Sequence, residues 1–339
     1  MHHRIAFIAL FIICSCNSNE SKKQKTEIQI LSEKIIQNPK DLDLLYARVD
    51  YNKSKNNLES ALFDLKEIIS LDSLNALHHY NIAKVYFELS KGKNSKPKYP
   101  SLAKQHLDKS ILMDGMNKEA LSLMGELLIA YNKYEDAIKS FNLSLNIDYN
   151  QERSHLLMGY AFKKLDQTDN AVDCFRNAIN INPDFFEAYV QLGQIFHLLS
   201  DTLALVYYNN AIRLKPSNEM VLYNKALFYQ SILDWNNALS AYADLHKVSP
   251  FHTSGHYNLG FIHMELALYD VAANNFSDAI YSNSNFYEAY YARGNCFETL
   301  GNILQAESDY KRAIEINPKY VYAIEALDML RKNNKKYNK

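Results

Sequence analysis

The chain has 339 residues, 47% of them hydrophobic, and its 37 basic and 38 acidic residues leave a formal net charge of −1. This composition indicates a folded body and gives no support to a nucleic-acid-binding protein, for which a basic excess or stripe is expected. Glycine and proline number only 9 and 7. Because few residues break helices and many favour them, the composition indicates α structure.

The first 15 residues have the pattern of a secretory signal peptide. Arg4 precedes an apolar run over residues 5–13, which small residues and two cysteines follow. A helix of this length rises only about 14 Å, whereas a bilayer core is about 30 Å thick. The run is therefore too short to span a membrane, and we interpret residues 1–15 as a signal peptide.

The end of this segment, Ile13-Cys14-Ser15-Cys16, resembles a bacterial lipobox. The resemblance implies that Cys16 becomes the lipidated first residue of an exported, membrane-anchored lipoprotein, with the outer membrane as the expected site. Cys14, at the penultimate position, departs from the pattern. An ordinary cleaved signal and an uncleaved anchor are the alternatives. Residues 16–25 are polar and are expected to form a flexible tether.

The rest of the chain, from 42 to 320, repeats with a period of 34 residues. Pro183, Pro216, Pro250 and Pro318 are 33, 34 and 68 residues apart, and the Lys-rich insertion 91–100 accounts for a longer interval upstream. One position is alanine in every unit: Ala61, Ala103, Ala137, Ala171, Ala204, Ala238, Ala272 and Ala306. A small residue stands about twelve residues earlier in most units, and a large apolar residue follows four residues later. This spacing places them on packed helix faces, where small residues allow close approach.

The pattern resembles the tetratricopeptide repeat (TPR) family. The unit at 186–218 reads Tyr189, Leu192-Gly193, Phe196, Ala204, Tyr208, Ala211 and Pro216, which matches the family pattern after a one-residue deletion. Eight units in phase begin at 42, 76, 118, 152, 186, 219, 253 and 287. The first departs most, with Arg48 and Val49 where leucine and glycine are usual. The resemblance implies an all-α fold, a right-handed α-solenoid of eight TPR helix pairs with a concave groove.

Two further helices are predicted at the ends of the array. Residues 26–38 are expected to form an N-terminal half-repeat that caps the first unit. Residues 321–334 are expected to form a C-terminal capping helix, with Ile324, Leu327 and Leu330 facing inward, and residues 335–339 a basic tail. Caps with a polar outer face keep a repeat array soluble.

Catalytic and cofactor motifs are lacking in the sequence. No GxxxxGK[ST], GxGxxG, HExxH, GxSxG or CxxC pattern occurs. His252, His256 and His263 are closely spaced, but His256 and His263 occupy packing positions, so we interpret them as core residues rather than a metal site. Cys174 and Cys296 are expected to be buried free thiols. The sequence thus predicts a non-enzymatic protein with no cofactor and no metal.

In TPR proteins the first helix of each unit lines the groove, and the resemblance carries this role to matching positions here. Tyrosine recurs at the fifth position and asparagine at the sixth, a combination suited to binding a peptide backbone. The alternative is that the Tyr-Asn pairs only serve the packing of the repeat. The candidate residues are Tyr46, Tyr80, Asn81, Phe87, Tyr160, Tyr223, Asn224, Tyr257, Asn258, Phe261 and Tyr291.

A basic group in the fourth unit is a second candidate. Arg153, Lys163 and Lys164 fall on the groove side, where an acidic segment could dock, although the simpler interpretation is that they are solvated surface residues. The carboxylate clamp of chaperone-binding TPR proteins is not expected, because lysine never occupies the fifth position.

These features predict an envelope lipoprotein that acts as a scaffold or adaptor for a partner protein of the cell envelope. The partners are then a protein segment and, through the lipid anchor, a membrane. Two alternatives remain open. The aromatic residues could bind glycans or nutrients, or the protein could regulate a separately encoded envelope enzyme.

Overall fold

The computed structural model describes residues 26–92 and 95–337, with side chains through residue 332. Within these ranges the chain forms 18 helices joined by short turns and contains no strand. The predicted all-α fold is thereby confirmed for these residues. The helices are α1 Glu27–Gln37, α2 Leu42–Ser54, α3 Leu58–Leu71, α4 Ala76–Lys91, α5 Tyr99–Met113, α6 Lys118–Ala130, α7 Tyr134–Ile147, α8 Glu152–Lys164, α9 Thr168–Ile181, α10 Phe186–Leu198, α11 Leu203–Leu214, α12 Glu219–Ser231, α13 Trp235–Val248, α14 Thr253–Glu265, α15 Tyr269–Ser282, α16 Tyr287–Thr299, α17 Ile303–Ile316 and α18 Val321–Tyr337.

The helices from α2 to α17 form eight antiparallel pairs, in which we call the members the first and second helix. Local residues define where they start. Asn75, Asn117 and Asn218 precede first helices, and each accepts a hydrogen bond from a backbone N–H of the first turn. Such capping satisfies donors that a helix start otherwise leaves unpaired.

Seven of the turns inside the pairs contain one residue with positive φ. These residues are Asn56, Asn132, Asp166, Ser200, Leu233, Ala267 and Gly301. A left-handed residue reverses the chain tightly after a helix, and glycine adopts this conformation at least cost. Only the last of these seven turns has glycine at this position. In the other six turns, the packing of the two helices offsets the less favourable backbone conformation of a residue other than glycine.

The two helices of a pair meet where a glycine faces an aromatic ring. A methyl group built on Gly125, Gly159, Gly193, Gly260 or Gly294 would lie 2.5–2.7 Å from the facing ring, which belongs to Phe141, Phe175, Tyr208, Phe276 or Tyr310. All five rings are fully buried. The predicted match of a small residue with a large ring is therefore confirmed at these positions.

The chain divides into two compact units, one ending at Gly115 and the other starting at Met116. The first unit contains α1–α5 around buried residues such as Leu45, Leu65 and Ile82. The second contains α6–α18, and its buried aromatic and alanine residues form clusters along the row of pairs. In the second unit the first helices also contact one another: α6 with α8, α10 with α12, and α14 with α16.

Arginine replaces leucine in the first and the last pair, and both arginines form the same set of contacts. Arg48 binds Asp64 through two hydrogen bonds of 2.9 and 2.6 Å, and also reaches Ser32 of α1. Arg293 binds Asp309 through two bonds of 2.7 Å and reaches Ser277 of α15. We call each set an arginine clasp. Because Ser32 takes the place that Ser277 has in a second helix, α1 packs on α2 as a second helix packs on the first helix that follows it.

The C-terminal helix α18 differs from the prediction in two respects. Ala323, Leu327 and Leu330 are its buried residues, whereas Ile324, predicted to face inward, is 42% exposed. The inward stripe follows positions 323, 327 and 330, and the small Ala323 permits a close approach. The helix also continues to Tyr337, past the predicted end at 334, because no glycine or proline stops it.

The insertion 91–100 is not wholly a loop. Helix α4 continues to Lys91, and α5 begins at Tyr99, whose ring is buried and lies 5.8 Å from that of Tyr86. The end of the insertion thus belongs to the packed body. None of the helices within the described residues is both long and apolar enough to cross a bilayer.

Candidate binding face on the first helices

The first helices carry a row of tyrosines that lie partly at the surface. In the first unit Tyr46 and Tyr80 are half-buried, and in the second unit Tyr223, Tyr257 and Tyr291 are. We call the first-helix surface that carries them the binding face, and we describe it for each unit separately. Tyr160, Asn224 and Phe261 are half-buried as well. The predicted aromatic residues are therefore partly exposed, with one exception.

Phe87 is that exception and corrects the prediction. Its side chain is 2% exposed, and Lys91 Nζ lies 3.9 Å from the centre of its ring. The extension of α4 to Lys91 places this cation over the ring. Phe87 is thus part of the core and offers no surface to a partner.

Two asparagines of the Tyr-Asn pairs, Asn81 and Asn258, join one repeat to the preceding one. Asn81 Nδ2 donates to the hydroxyl of Tyr46 at 3.3 Å, and Asn258 Nδ2 donates to the hydroxyl of Tyr223 at 3.2 Å. Both pairs are 35 residues apart, and Asn258 Nδ2 also reaches the hydroxyl of Tyr242 at 2.9 Å. These contacts support the packing interpretation for Asn81 and Asn258, because their amide donors already serve the fold.

A small cavity lies beside the tyrosine of the first unit. It has a volume of about 300 Å³ and is lined by residues of α2, α3 and α4, among them Tyr46, Lys53 and Asn81. The Tyr46 hydroxyl lies 2.6 Å from Nδ1 of His78. Burial raises the pKa of Tyr46, so it remains a neutral donor and acceptor at this cavity.

The histidines of α13 and α14 are half-buried and contact neighbouring side chains. The imidazole rings of His246 and His256 stack with their centres 3.9 Å apart, and His263 Nδ1 contacts the amide of Asn275 at 3.2 Å. Burial, with the nearby His256 and His252, lowers the pKa of His246 to about 4. Over the part of the chain that the structure describes, no group of three histidine, cysteine or acidic residues could hold a metal ion.

Both cysteines of the body are free and buried, which confirms the sequence prediction. Burial raises the pKa of the Cys174 thiol to about 12 and that of Cys296 to about 11. A thiol that stays protonated at neutral pH is a poor nucleophile and metal ligand. Neither cysteine therefore has the properties of a reactive site.

A group of five tyrosines lies at the C-terminal end of the second unit. We call Tyr257, Tyr287, Tyr291, Tyr320 and Tyr322 the tyrosine cluster. The ring of Tyr320 is its centre, with ring centres at 4.8 Å from Tyr287, 5.4 Å from Tyr291 and 5.6 Å from Tyr322, all edge to face. Such edge-to-face pairs are the favoured geometry of aromatic rings.

Comparison with known proteins identifies the repeated unit. A family model described as tetratricopeptide repeat matches residues 287–320, and a second, described as TPR repeat, matches residues 159–200. The chain carries tetratricopeptide repeats. The first match coincides with the eighth unit predicted from the sequence.

Curated relatives share these TPR repeats at low identity. Anaphase-promoting complex subunit 3 of Schizosaccharomyces pombe is 24% identical over 186 residues, which are 53% of this chain and 28% of that protein. Human tetratricopeptide repeat protein 6 is 24% identical over 201 residues, 57% of this chain and 38% of that protein. The chain thus spans well under half the length of these relatives.

A solved structure supports the same fold. The structure titled "Functional Characterization of Pseudomonas Aeruginosa pilF" is similar with a TM-score of 0.52 and 18% identity, over 62% of this chain and 92% of that one. At this identity the likeness shows the TPR fold alone. The function of this chain has to be argued from its own residues.

The basic residues of the fourth TPR unit are partly engaged. Arg153 lies 3.2 Å from the carboxylate of Glu126, and Lys163 Nζ donates to the side-chain oxygen of Gln191 at 3.1 Å. Burial, followed by the charge of Lys164, lowers the pKa of Lys163. Lys164 is exposed. Because Glu126 offsets one of the three charges, the group is a weaker anion site than the sequence suggested.

Sequence reasoning missed three members of the tyrosine cluster. Tyr287 and Tyr320 are the first and last residues of the eighth TPR unit, and Tyr322 lies in the capping helix, outside the groove positions of the family pattern. The turn from α17 to α18 brings them beside Tyr291. A high density of tyrosine near the end of the chain was the available signal.

Proposed function

We propose that this protein is a lipid-anchored adaptor of the bacterial envelope that holds a segment of a partner protein on the binding face of its first helices. The half-buried tyrosines that recur on successive first helices, Tyr223, Tyr257 and Tyr291, carry this proposal. A rigid ring with a polar tip supplies contact area at low entropic cost, which is typical of binding hot spots. TPR proteins are in general interaction modules, which supports a protein partner.

Photo-crosslinking tests the binding face. A benzophenone amino acid replaces Tyr80, Tyr223 or Tyr257 in cells, and a partner is expected to be captured from the envelope fraction through these positions. Tyr281, which is exposed on the second helix α15, is the matched control and is expected to capture nothing. Equal capture through Tyr281, or no capture through any of the three, would contradict the proposal.

The anchor is tested separately. Cys16 lies outside the described residues, and its lipidation rests on the Ile13-Cys14-Ser15-Cys16 sequence. Replacing Cys16 with serine should move the protein from the membrane to the soluble fraction, since one lost attachment site removes all its acyl chains. Cys14→Ser is the control and should leave the protein on the membrane. If the Cys16→Ser protein stayed in the membrane fraction, the lipoprotein assignment would be wrong.

A second candidate function is glycan binding, which the ring-rich end of the second unit favours because sugars stack on aromatic faces. Calorimetric binding of an oligosaccharide, together with failure of the crosslinking experiment, would support it over the adaptor. If the protein instead regulates a separate envelope enzyme, the crosslinking experiment should capture that enzyme. The activity of the enzyme should then change when this protein binds it.

A further inference from the structure

A cavity lies beside the first arginine clasp, within the first unit. It has a volume of about 340 Å³ and is lined by residues of α1, α2 and α3, among them Ser32, Asn52 and Phe63. We call it the clasp cavity. Sites for small ligands begin at about 300 Å³, so the clasp cavity can hold a small ligand or one unit of a longer one.

The charges at the clasp cavity cancel. Among the described residues that line it, only Arg48 and Asp64 are charged, and they bind each other through the two hydrogen bonds of the clasp. Neither an anion nor a cation therefore finds an unpaired counter-charge here. The three hydrogen bonds of Arg48 leave two of the five N–H groups of a guanidinium, which can donate to an uncharged ligand.

The fold gives no reason for the asparagine at position 52. Asn52 is 6% exposed, and within residues 26–92 and 95–332 its amide has no hydrogen-bond partner. An amide that leaves water without gaining a partner lowers the stability of the fold. Since Asn52 lines the clasp cavity, a ligand in the cavity can supply the missing donor and acceptor.

An exposed aromatic ring completes the lining. Phe63 borders the cavity and is 69% exposed. One face of a pyranose ring carries C–H groups, which pack favourably on the negative face of an aromatic ring. The hydroxyls of a pyranose both donate and accept hydrogen bonds, as do the Asn52 amide and the hydroxyl of Ser60, which also lines the cavity. A neutral sugar ring thus matches both kinds of surface.

The second arginine clasp also borders a cavity, but that cavity differs in chemistry. It has a volume of about 570 Å³, and four charged side chains line it in addition to Arg293 and Asp309. They are Glu307, Lys311, Arg312 and Glu315. None of its described lining residues is an amide. The uncharged lining is therefore particular to the clasp cavity and does not come with an arginine clasp as such.

We propose that the clasp cavity is a binding site for a neutral pyranose sugar. Asn52, Ser60 and Arg48 bind its hydroxyls, and the ring of Phe63 packs on its C–H face. This site does not depend on the adaptor function, because none of the tyrosines that define the binding face is among the described residues lining the cavity.

The test compares cyclic and acyclic polyols. Methyl β-glucoside, methyl β-galactoside and methyl β-N-acetylglucosaminide are titrated against the full chain, and ligand-observed NMR measures their affinities. Sorbitol is the control, since it has hydroxyls but no rigid ring with a C–H face. At least one pyranoside should bind about fivefold or more tightly than sorbitol.

Variants assign the site. Phe63→Ala should weaken the bound pyranoside by about threefold or more, because the packing surface is lost. Phe251→Ala is the matched control, since Phe251 is an equally exposed phenylalanine, at 67%, in the second unit, and its loss should change nothing. Because Phe63 is exposed, its truncation leaves the core intact.

Asn52→Leu separates a binding role from a structural one. Leucine has a similar size and no polar atoms, so the midpoint of denaturant unfolding should not fall, whereas pyranoside binding should weaken by about tenfold. If Asn52→Leu lowered the unfolding midpoint, the amide would have a structural role, and Phe63→Ala would then decide whether the sugar binds here.

Three outcomes overturn the proposal. The first is that no pyranoside binds better than sorbitol. The second is that binding survives both Phe63→Ala and Asn52→Leu, which would place the sugar elsewhere, for example on the tyrosine cluster. The third is tighter binding of the diamide N-acetylglycine N-methylamide than of every pyranoside, which would assign the cavity to a peptide segment. Each of these would leave the crosslinking test of the adaptor function unaffected.

Discussion

Two glycines of the second unit show that the same residue serves two different physical purposes. At Gly260 a methyl group would lie 2.7 Å from the ring of Phe276, so close packing requires glycine there. At Gly301, where φ is +78°, a methyl group would meet nothing within 4 Å, and only the backbone conformation favours glycine. Alanine at the first site creates a clash, and at the second it creates backbone strain.

Gly260→Ala and Gly301→Ala are therefore expected to destabilise the protein for different reasons. The first should lower the free energy of unfolding by about 1–3 kcal/mol through overpacking, and the second by about 1 kcal/mol through its left-handed backbone. Denaturant titration measures both. Adding Phe276→Leu should relieve the first variant and not the second.

Gly115→Ala is the control, since the nearest atom to its methyl group would be at 3.8 Å, an ordinary contact. If Phe276→Leu failed to couple with Gly260→Ala, the facing ring would not be the reason for the glycine.

At the scale of elements, two histidine side chains that can take up a proton contact each other at the junction of α13 and α14. The stacked rings belong to His246 of α13 and His256 of α14, with His252 at the start of α14 and the Asp278 carboxylate 4.0 Å from His256. Burial of His246 and the neighbouring rings of His256 and His252 all disfavour a positive charge on it. A proton on His246 would therefore be poorly accommodated.

Acid is expected to destabilise this junction. The pKa of His246 is near its usual 6.5 when unfolded and about 4 when folded, so the unfolded chain binds the proton more readily. The contribution to stability is complete above pH 6.5 and is lost progressively as the pH falls to 4. Hydrogen exchange in α13 and α14 should accordingly accelerate over this range.

His246→Gln should flatten the pH dependence of exchange in these two helices. His263→Gln is the matched control, because the ring of His263 contacts the amide of Asn275 and is not part of the stacked pair. An unchanged pH profile in His246→Gln would show that another group controls the junction.

The helices themselves were largely predictable from the sequence, whereas particular side-chain roles were not. The period of 34 and the recurrent alanines marked the second helices, because a repeated spacing is visible without knowing any contact. The inward role of Ile324 and the surface role of Phe87 were wrong, because each depends on where one helix begins or ends. The assembly of the tyrosine cluster depends on a turn that brings residues 287 and 320 together, and periodicity does not encode it.

At the largest scale, the second unit is a linear array in which contacts join neighbouring helices. Each of its helices packs mainly on the next helix or on the next but one. Stability in such an array is approximately a sum of local and nearest-neighbour terms, so a local defect should spread only a short distance.

Leu327→Ala tests this expectation. Leu327 is buried against Ala306 and Tyr310, and its truncation should cost about 2–3 kcal/mol. Hydrogen exchange should rise in α16, α17 and α18 and remain unchanged in α6–α9. Met329→Ala, at an exposed position of the same helix, should have little effect. A uniform rise across the unit would instead indicate all-or-none unfolding.

The two arginine clasps have a consequence for how such a protein can change length. Each clasp joins an arginine only to residues of nearby helices: Arg48 to Asp64 and Ser32, and Arg293 to Asp309 and Ser277. The intervening units take no part in either. Gain or loss of an interior block such as 152–185 during evolution would leave both arginine clasps in place, so the number of repeats can vary while these contacts stay the same.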